Sequence, residues 1–188
     1  MKKLTLLTFI FLFILNGKAL SEKINKTLIT DDVFTGASGI VGVNMASGDN
    51  HVQSNMRVIN LGSNGYTLGF IEQQTMCISK MPTIAIDLIG GNAFSHIKGV
   101  FSINQASGSG SAEANFVSIS IGKKLENLVL AQTVAKVKNQ DQYSGEFLDI
   151  ICRSAFFEAK GVVQVNQSAG GGNALANTFH LNFIRGNF

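Results

Sequence analysis

Asparagine supplies the most regular polar chemistry in this chain, because it recurs at fixed distances from glycine and phenylalanine. The spacing Phe-x4-Gly-x4-Asn-x3-Gly-x6-Asn occurs three times without a gap, and the copies begin 60 and 62 residues apart. An Asn carboxamide both donates and accepts hydrogen bonds. It can bond the backbone of its own turn, which we favour, or it can stack with Asn of other copies in a ladder. The matched positions are Phe34, Gly39, Asn44, Gly48, Asn55, Phe94, Gly99, Asn104, Gly108, Asn115, Phe156, Gly161, Asn166, Gly170 and Asn177.

Two cysteines, Cys77 and Cys152, offer redox chemistry. An even number of cysteines in an exported chain favours a disulfide, and this bridge would close a loop of about 75 residues, worth ~4 kcal/mol in the chain-entropy model. The alternative is two buried free thiols. Neither cysteine belongs to a CxxC motif.

Catalytic and metal-binding patterns are absent from the sequence. The histidines His51, His96 and His180 fall at different offsets in the repeats and form no HxxH or HExxH spacing, so structural or surface roles are favoured. No GxSxG, P-loop or dinucleotide-binding signature occurs. We therefore predict a protein that is not an enzyme, has no cofactor or metal, and has no evident small-molecule substrate.

Strands must position the repeated residues. In each copy, β-branched and aromatic residues lead into a small, Gly-rich turn, and a segment of period two follows. Gly48, Gly108 and Gly170 are predicted to occupy equivalent turn positions with positive φ. The repeats are assigned to residues 33–62, 93–122 and 155–183, as superposable strand–turn–strand elements.

The segments between the repeats also favour strands. Tyr66–Gln73, Thr83–Ile89 and Phe147–Cys152 read as strands, whereas 125–137 fits a helix or a strand and we favour the strand. The predicted fold class is all-β, with three equivalent elements in a solenoid, a sandwich or a rolled sheet. Residues 33–188 form one β-rich domain, preceded by a flexible polar lead over 20–32.

The first 19 residues have the order of a secretory signal peptide, with Lys2-Lys3, an apolar stretch and the small residues of Gly17-Lys18-Ala19. Cleavage before Leu20 reduces the 15 Lys and Arg residues to 12, which equals the 12 Asp and Glu residues. A net charge of zero removes the usual electrostatic support for nucleic-acid binding and permits self-association. We expect the protein in the periplasm in transit and then outside the cell.

The stretches 42–50, 103–108 and 165–177 resemble repeats of exported bacterial adhesins and of functional amyloids, the curli and Fap systems and their accessory proteins. Curlin repeats are shorter, and Fap fibre subunits carry a CxxC that this chain lacks. The resemblance implies a β-rich protein outside the cell that associates with itself or with other fibre and surface proteins.

Two interpretations of function follow. The first is a secreted, non-enzymatic surface adhesin or fibre-associated structural protein, with a role in biofilm or cell adhesion. The alternative is a small outer-membrane β-barrel, which the terminal Phe188 favours. Alternate residues before it include Asn182 and His180, which make a poor lipid-facing row.

Overall fold

The computed structural model describes residues 23–62, 64–77, 82–137 and 145–184, and all its regular elements are strands. The predicted signal peptide and its cleavage site lie outside these residues. The strands are β1 Ile24–Ile29, β2 Ser38–Asp49, β3 Val52–Leu61, β4 Asn64–Cys77, β5 Ile84–Ile89, β6 Lys98–Ser109, β7 Ala112–Gly122, β8 Lys124–Val137, β9 Glu146–Ile151, β10 Lys160–Gly171 and β11 Ala174–Ile184.

Each strand pairs in parallel with the equivalent strand of the next repeat, in a register set by the repeat spacing. Val43 lies beside Ile103, for example, and Ile103 beside Val165. The chain therefore forms three stacked rungs. The first rung is β1–β4, the second β5–β8 and the third β9–β11. Stacking produces sheet A (β1-β5-β9), sheet B (β2-β6-β10), sheet C (β3-β7-β11) and sheet D (β4-β8).

The four sheets pack face to face in the order A, B, C, D. Gln105 of sheet B donates a hydrogen bond to the Thr27 carbonyl of sheet A at 3.0 Å. Asn115 of sheet C donates to the Ile103 carbonyl of sheet B at 3.1 Å. The hydroxyls of Thr67 in sheet D and Ser120 in sheet C lie 3.1 Å apart. The predicted all-β fold is confirmed, as a solenoid whose coils run back and forth through four layers.

Apolar side chains fill the two outer spaces between sheets. Ile89, Phe101 and Ile103 belong to the cluster between sheets A and B. Ile71 and Phe116 belong to the cluster between sheets C and D. Alternation along each strand sends one set of side chains to each face, and sheets B and C are covered on both faces. The middle space, between sheets B and C, holds the Asn side chains of the motif, and the outer spaces also contain buried polar residues such as Asp87 and Thr67.

All four sheets are open, so both ends of the stack consist of strand edges. Strands β1 to β4 form one end, and β9, β10 and β11 lie at the other. The alternative interpretation of the sequence required a sheet that closes on itself, and the described strands form none. The described part of the chain also contains no helix long and apolar enough to span a membrane.

The prediction of a flexible lead over 20–32 is wrong for Ile24–Ile29, which forms β1 and pairs with β5. Its sequence reads as polar because the buried positions include Asn25 and Thr27, whose side chains bond inside the stack, while Ile24 and Leu28 face outward. The strands predicted between the repeats are confirmed, and 125–137 is a strand, within β8.

Candidate functional site: the side-chain columns and the ends of the stack

Two columns of asparagine run along the stack, at a spacing set by the rungs. In sheet B, Asn166 Nδ2 donates to Asn104 Oδ1 at 3.0 Å, and Asn104 Nδ2 donates to Asn44 Oδ1 at 2.9 Å. In sheet C, Asn177 donates to Asn115 at 3.1 Å, and Asn115 donates to Asn55 at 3.0 Å. Every one of these bonds has its donor on the later rung, so both columns are directional.

The two columns are also joined within each rung. The amide of Asn115 donates to Asn104 Oδ1 at 2.8 Å, and the equivalent bonds of the first and third rungs are 2.7 and 2.9 Å long. The Asn side chains also bond backbone carbonyls of the facing sheet, such as that of Ser54. All six Asn lie inside strands. The favoured prediction, that they bond the backbone of their own turns, is therefore wrong, and their side chains form the ladder instead.

Burial decides what this network contributes. Asn104 and Asn115 are completely buried, so an unsatisfied amide would cost about 1–3 kcal/mol. Both are satisfied because the in-register stack places an identical carboxamide one rung away. The ladder therefore favours stacking in this one register, since a shifted register would leave several amides without partners.

Glycines of the motif lie where neighbouring rungs approach most closely. Gly48, Gly108 and Gly170 occupy equivalent positions near the ends of β2, β6 and β10, with φ of 117°, 127° and 106°. A Cβ on Gly108 would lie 1.8 Å from the Gly170 carbonyl oxygen. These glycines therefore precede the turns rather than form them. Gly39, Gly99 and Gly161 lie near the beginnings of the same strands, with φ of 114°, 132° and 115°. A Cβ on Gly99 or Gly161 would lie 2.0 or 2.1 Å from the carbonyl oxygen of the preceding glycine in this set, whereas a Cβ on Gly39 would meet nothing within 4 Å.

Phenylalanines of the motif form a column in the three arcs that connect sheet A to sheet B, residues 30–37, 90–97 and 152–159. The rings of Phe34 and Phe156 each lie 5.1 Å from that of Phe94, with nearly parallel planes. All three have positive φ, between 57° and 62°. That conformation costs about 1–2 kcal/mol per residue, whereas burying one ring contributes about 1.5–3 kcal/mol and stacking adds more. The stack therefore outweighs the strain.

A third column contains acids that the repeat motif does not include. Thr27, Asp87 and Asp149 occupy one register position in sheet A, and the Thr27 hydroxyl donates to Asp87. Burial raises the pKa of Asp87 to about 6, and Asp149 reinforces the shift. Burial also raises the pKa of Asp149.

Glu113 is a further buried acid, in the polar space between sheets B and C. It accepts hydrogen bonds from Ser168 at 2.6 Å and from Gln53 at 2.9 Å. Burial raises its pKa to about 8, despite these bonds. The carboxyl is therefore mostly protonated at neutral pH. Sequence reasoning missed these acids because the residue types differ between copies, although Thr27, Asp87 and Asp149 do share the repeat spacing.

The histidines lie in different elements of the fold. His51 is half-buried between β2 and β3 and accepts a hydrogen bond from the Ser111 amide at 3.4 Å. His96 lies 3.4 Å from Glu158 beside a surface cleft of about 600 Å³, and both side chains are more than half exposed. An exposed pair of this kind contributes little. His180 is exposed in β11. Within the described ranges, no group of three or more His, Cys, Asp and Glu is placed to hold a metal ion.

The cysteines belong to the two outermost sheets. Cys152 follows β9 of sheet A and carries a free thiol. Cys77 is the last residue of β4 in sheet D, and its side chain lies outside what the structure describes. Sheets B and C lie between the two backbones. The disulfide stays a prediction.

The side-chain columns stop at the two ends of the stack, which differ in exposure, because Asn166 on the third rung is only 5% exposed. At the first rung, Asn44 and Phe34 are exposed, whereas their second-rung equivalents are buried. At the third rung, Asn166, Asn177 and Phe156 terminate the same columns. Both ends therefore present one pattern of strand edges and side chains, in the same in-register order.

Comparison with known proteins gives one family. The model of the functional amyloid protein FapB/FapC family matches residues 15–184, which is most of the chain. No solved structure matches the chain.

Proposed function

Because the chain belongs to the functional amyloid protein FapB/FapC family, we propose that it is a structural subunit of a fibre outside the cell, built by copies that stack end to end. The observation that carries this proposal is the match between the two ends of the stack. The first rung of one copy can continue all three complete sheets from the third rung of another.

The joint would repeat the contacts already made inside one copy. Asn166 and Asn177 would lie next to Asn44 and Asn55 of the following copy, and Phe156 next to Phe34. Edge strands carry backbone groups that seek partners, and pairing with an identical fold satisfies them without rearrangement. Association of identical copies is therefore the proposed partnership.

Charge does not oppose this association. Without residues 1–19 the chain has equal numbers of basic and acidic residues, so the repulsion between copies is weak. The expected function is mechanical: a non-enzymatic fibre component at the cell surface that supports adhesion within a biofilm. The proposal requires no nucleic acid and no cofactor.

The experiment is assembly of purified residues 20–188. We expect dye-positive fibres with a meridional spacing of ~4.8 Å. Three rungs per copy then give one copy per about 14 Å of fibre, which mass-per-length measurement by electron microscopy tests. One copy per ~4.8 Å would contradict stacking of intact three-rung copies, and a monodisperse, dye-negative monomer at high concentration would contradict assembly itself.

The ladder provides a matched pair of variants. Replacing Asn104 and Asn166 by Asp removes amide donors and places charges in line along a buried column. Replacing both by Ser removes the same amides without adding charge. We expect the Asp pair to suppress assembly much more strongly than the Ser pair, measured by light scattering and amyloid-dye fluorescence. Equal suppression would contradict a ladder that continues between copies.

A further inference from the structure

The column in sheet A differs from the Asn and Phe columns because its members are not identical. Its order is a hydroxyl on the first rung, Thr27, and carboxyls on the second and third, Asp87 and Asp149. Thr27 and Asp87 are 2% and 0% exposed, whereas Asp149 is exposed at the end of the stack. The column therefore ends on the first rung in the Thr27 hydroxyl, which can donate a hydrogen bond to a carboxyl, and on the third rung in the Asp149 carboxyl.

The facing strands of sheet B hold both acids in the same way. The backbone amide of Ser107 on β6 donates to Asp87 at 3.1 Å. The amide of Ala169 on β10 bonds Asp149, and Ala169 is the register partner of Ser107. Asp87 additionally receives the Thr27 hydroxyl. Among the described strands none follows β9 in sheet A, so in an assembly β1 of the next copy would supply the equivalent hydroxyl.

We infer that Thr27 of one copy caps Asp149 of its neighbour, so that this column selects the direction in which copies stack; the inference rests on the fibre proposed above. First rung on third rung gives the repeating order Thr–Asp–Asp, in which each pair of acids has a hydroxyl on either side. Third rung on third rung would bring two Asp149 together.

Wrong joints are costly because they add like charges to a site that already disfavours charge. Adjacent rungs are about 5 Å apart, and the side chains of Asp87 and Asp149 hydrogen-bond each other, so one of the two carboxyls keeps its proton at higher pH. Besides each other, the two acids are surrounded by Thr27 on β1, the amide and side chain of Ser107 on β6 and the Ala169 amide on β10. The further carboxyl that they influence is Glu113 on β7. A third acid in line would face the same surroundings.

A hydroxyl–carboxyl exchange tests the inference. Thr27→Asp makes the column an unbroken line of acids. The double variant Thr27→Asp with Asp149→Thr has the order Asp–Asp–Thr, which restores a hydroxyl to every joint and keeps the number of acids of the natural chain.

Seeded elongation is measured at pH 7 with seeds and monomer of the same variant. We expect Thr27→Asp to elongate at least about tenfold more slowly than the natural chain, a factor that corresponds to about 1.4 kcal/mol. The double variant should elongate at close to the natural rate.

Cross-seeding separates the joint from the fold. Within one copy the double variant has only two acids in line, so its fold is not the reason for any defect. When it adds to the third-rung end of a natural seed, however, the carboxyl that Thr27→Asp introduces would lie next to Asp149 of the seed. Two-colour fluorescence microscopy should show the double variant extending natural seeds from one end only. At pH 4, where the carboxyls are protonated, elongation of Thr27→Asp should recover.

The outcomes are distinguishable. If the double variant is as slow as Thr27→Asp, or if Thr27→Asp is as fast as the natural chain, the column does not select the joint, although the fibre proposal stands. If the natural chain forms no fibres, the fibre proposal and this inference both fail.

Discussion

The interior of this fold contains acidic side chains, and burial raises the pKa of Glu113 further than that of Asp87. Glu113 is completely buried between sheets B and C, where its hydrogen bonds to Ser168 and Gln53 do not compensate for lost solvation. Its pKa is raised to about 8, so the protonated form is the one that the fold accommodates at neutral pH. Ionising this side chain therefore opposes folding.

The sign of the pH dependence follows. A carboxyl whose pKa is higher in the folded chain than in the unfolded chain contributes its full stability below the unfolded value, near 4.5, and loses it as pH rises through about 8. The loss is on the order of 5 kcal/mol, because the pKa rises from 4.5 to about 8 and each pKa unit corresponds to about 1.4 kcal/mol. Glu113→Gln should therefore remove the decline in the free energy of unfolding that Glu113 causes between about pH 4.5 and pH 8, leaving the smaller decline at lower pH that comes from Asp87 and Asp149. Chemical denaturation at pH 5, 7 and 9 measures this, and parallel curves for both proteins would contradict it.

At the scale of the element, the rungs stack because glycine lets the backbones of two neighbouring rungs come into contact. Gly108 has a φ of 127°, and its missing side chain is the space that the Gly170 carbonyl occupies. Gly36 in the first arc also has positive φ, at 70°, but a Cβ there would meet nothing within 4 Å. Along the repeat its place is taken by His96 and Glu158, with φ of 57° and 53°.

These two glycines form a matched pair for mutation. Gly108→Ala combines backbone strain with a collision against backbone, so it should lower the free energy of unfolding by about 3 kcal/mol or more. Gly36→Asn introduces a residue that tolerates this φ, at a position where the added side chain meets open space. It should therefore lower the free energy of unfolding by less than about 1 kcal/mol. Thermal or urea unfolding compares them. Similar losses for both would show that the close approach at Gly108 is not limiting.

Much of the element structure could be predicted from sequence, for identifiable reasons. Five residue types at fixed offsets force equivalent elements, so the strands flanking Gly108 could be located. The sequence favours a turn role for these Asn residues over a ladder, because Asn has high turn propensity and only the strand register shows which Asn side chains are neighbours. The strand β1 was missed because Asn25 and Thr27 are polar in sequence yet bonded inside the stack. The positive φ of Phe94 could not be predicted, because its residue type disfavours that conformation.

For the whole molecule, position along the stack determines how well a strand is protected. The strands β6 and β7 have partners on both sides, whereas β2, β3, β10 and β11 each have one uncovered edge. Slow hydrogen exchange requires backbone bonds that open rarely, so the central strands should be slow even in an isolated copy.

Assembly should change only the outer rungs. Exchange measured by mass spectrometry on monomer and fibre should show β6 and β7 slow in both states, and β2 and β10 becoming slower in the fibre. Protection that rises evenly along the chain would instead indicate that the monomer folds only on joining a fibre. Protection that does not rise in β2 and β10 would contradict stacking through these edges.

The Asn hydrogen bonds between rungs all point in the same direction along the stack. Since every bond between rungs runs from an amide on the later rung to an oxygen on the earlier one, the carboxamide dipoles of each column add rather than cancel. Bonds in such a chain polarise each other and strengthen as the chain lengthens. An assembly of many copies should accordingly hold its next member more tightly than two copies hold each other, so that growth becomes more favourable with length and short assemblies dissolve in favour of long ones.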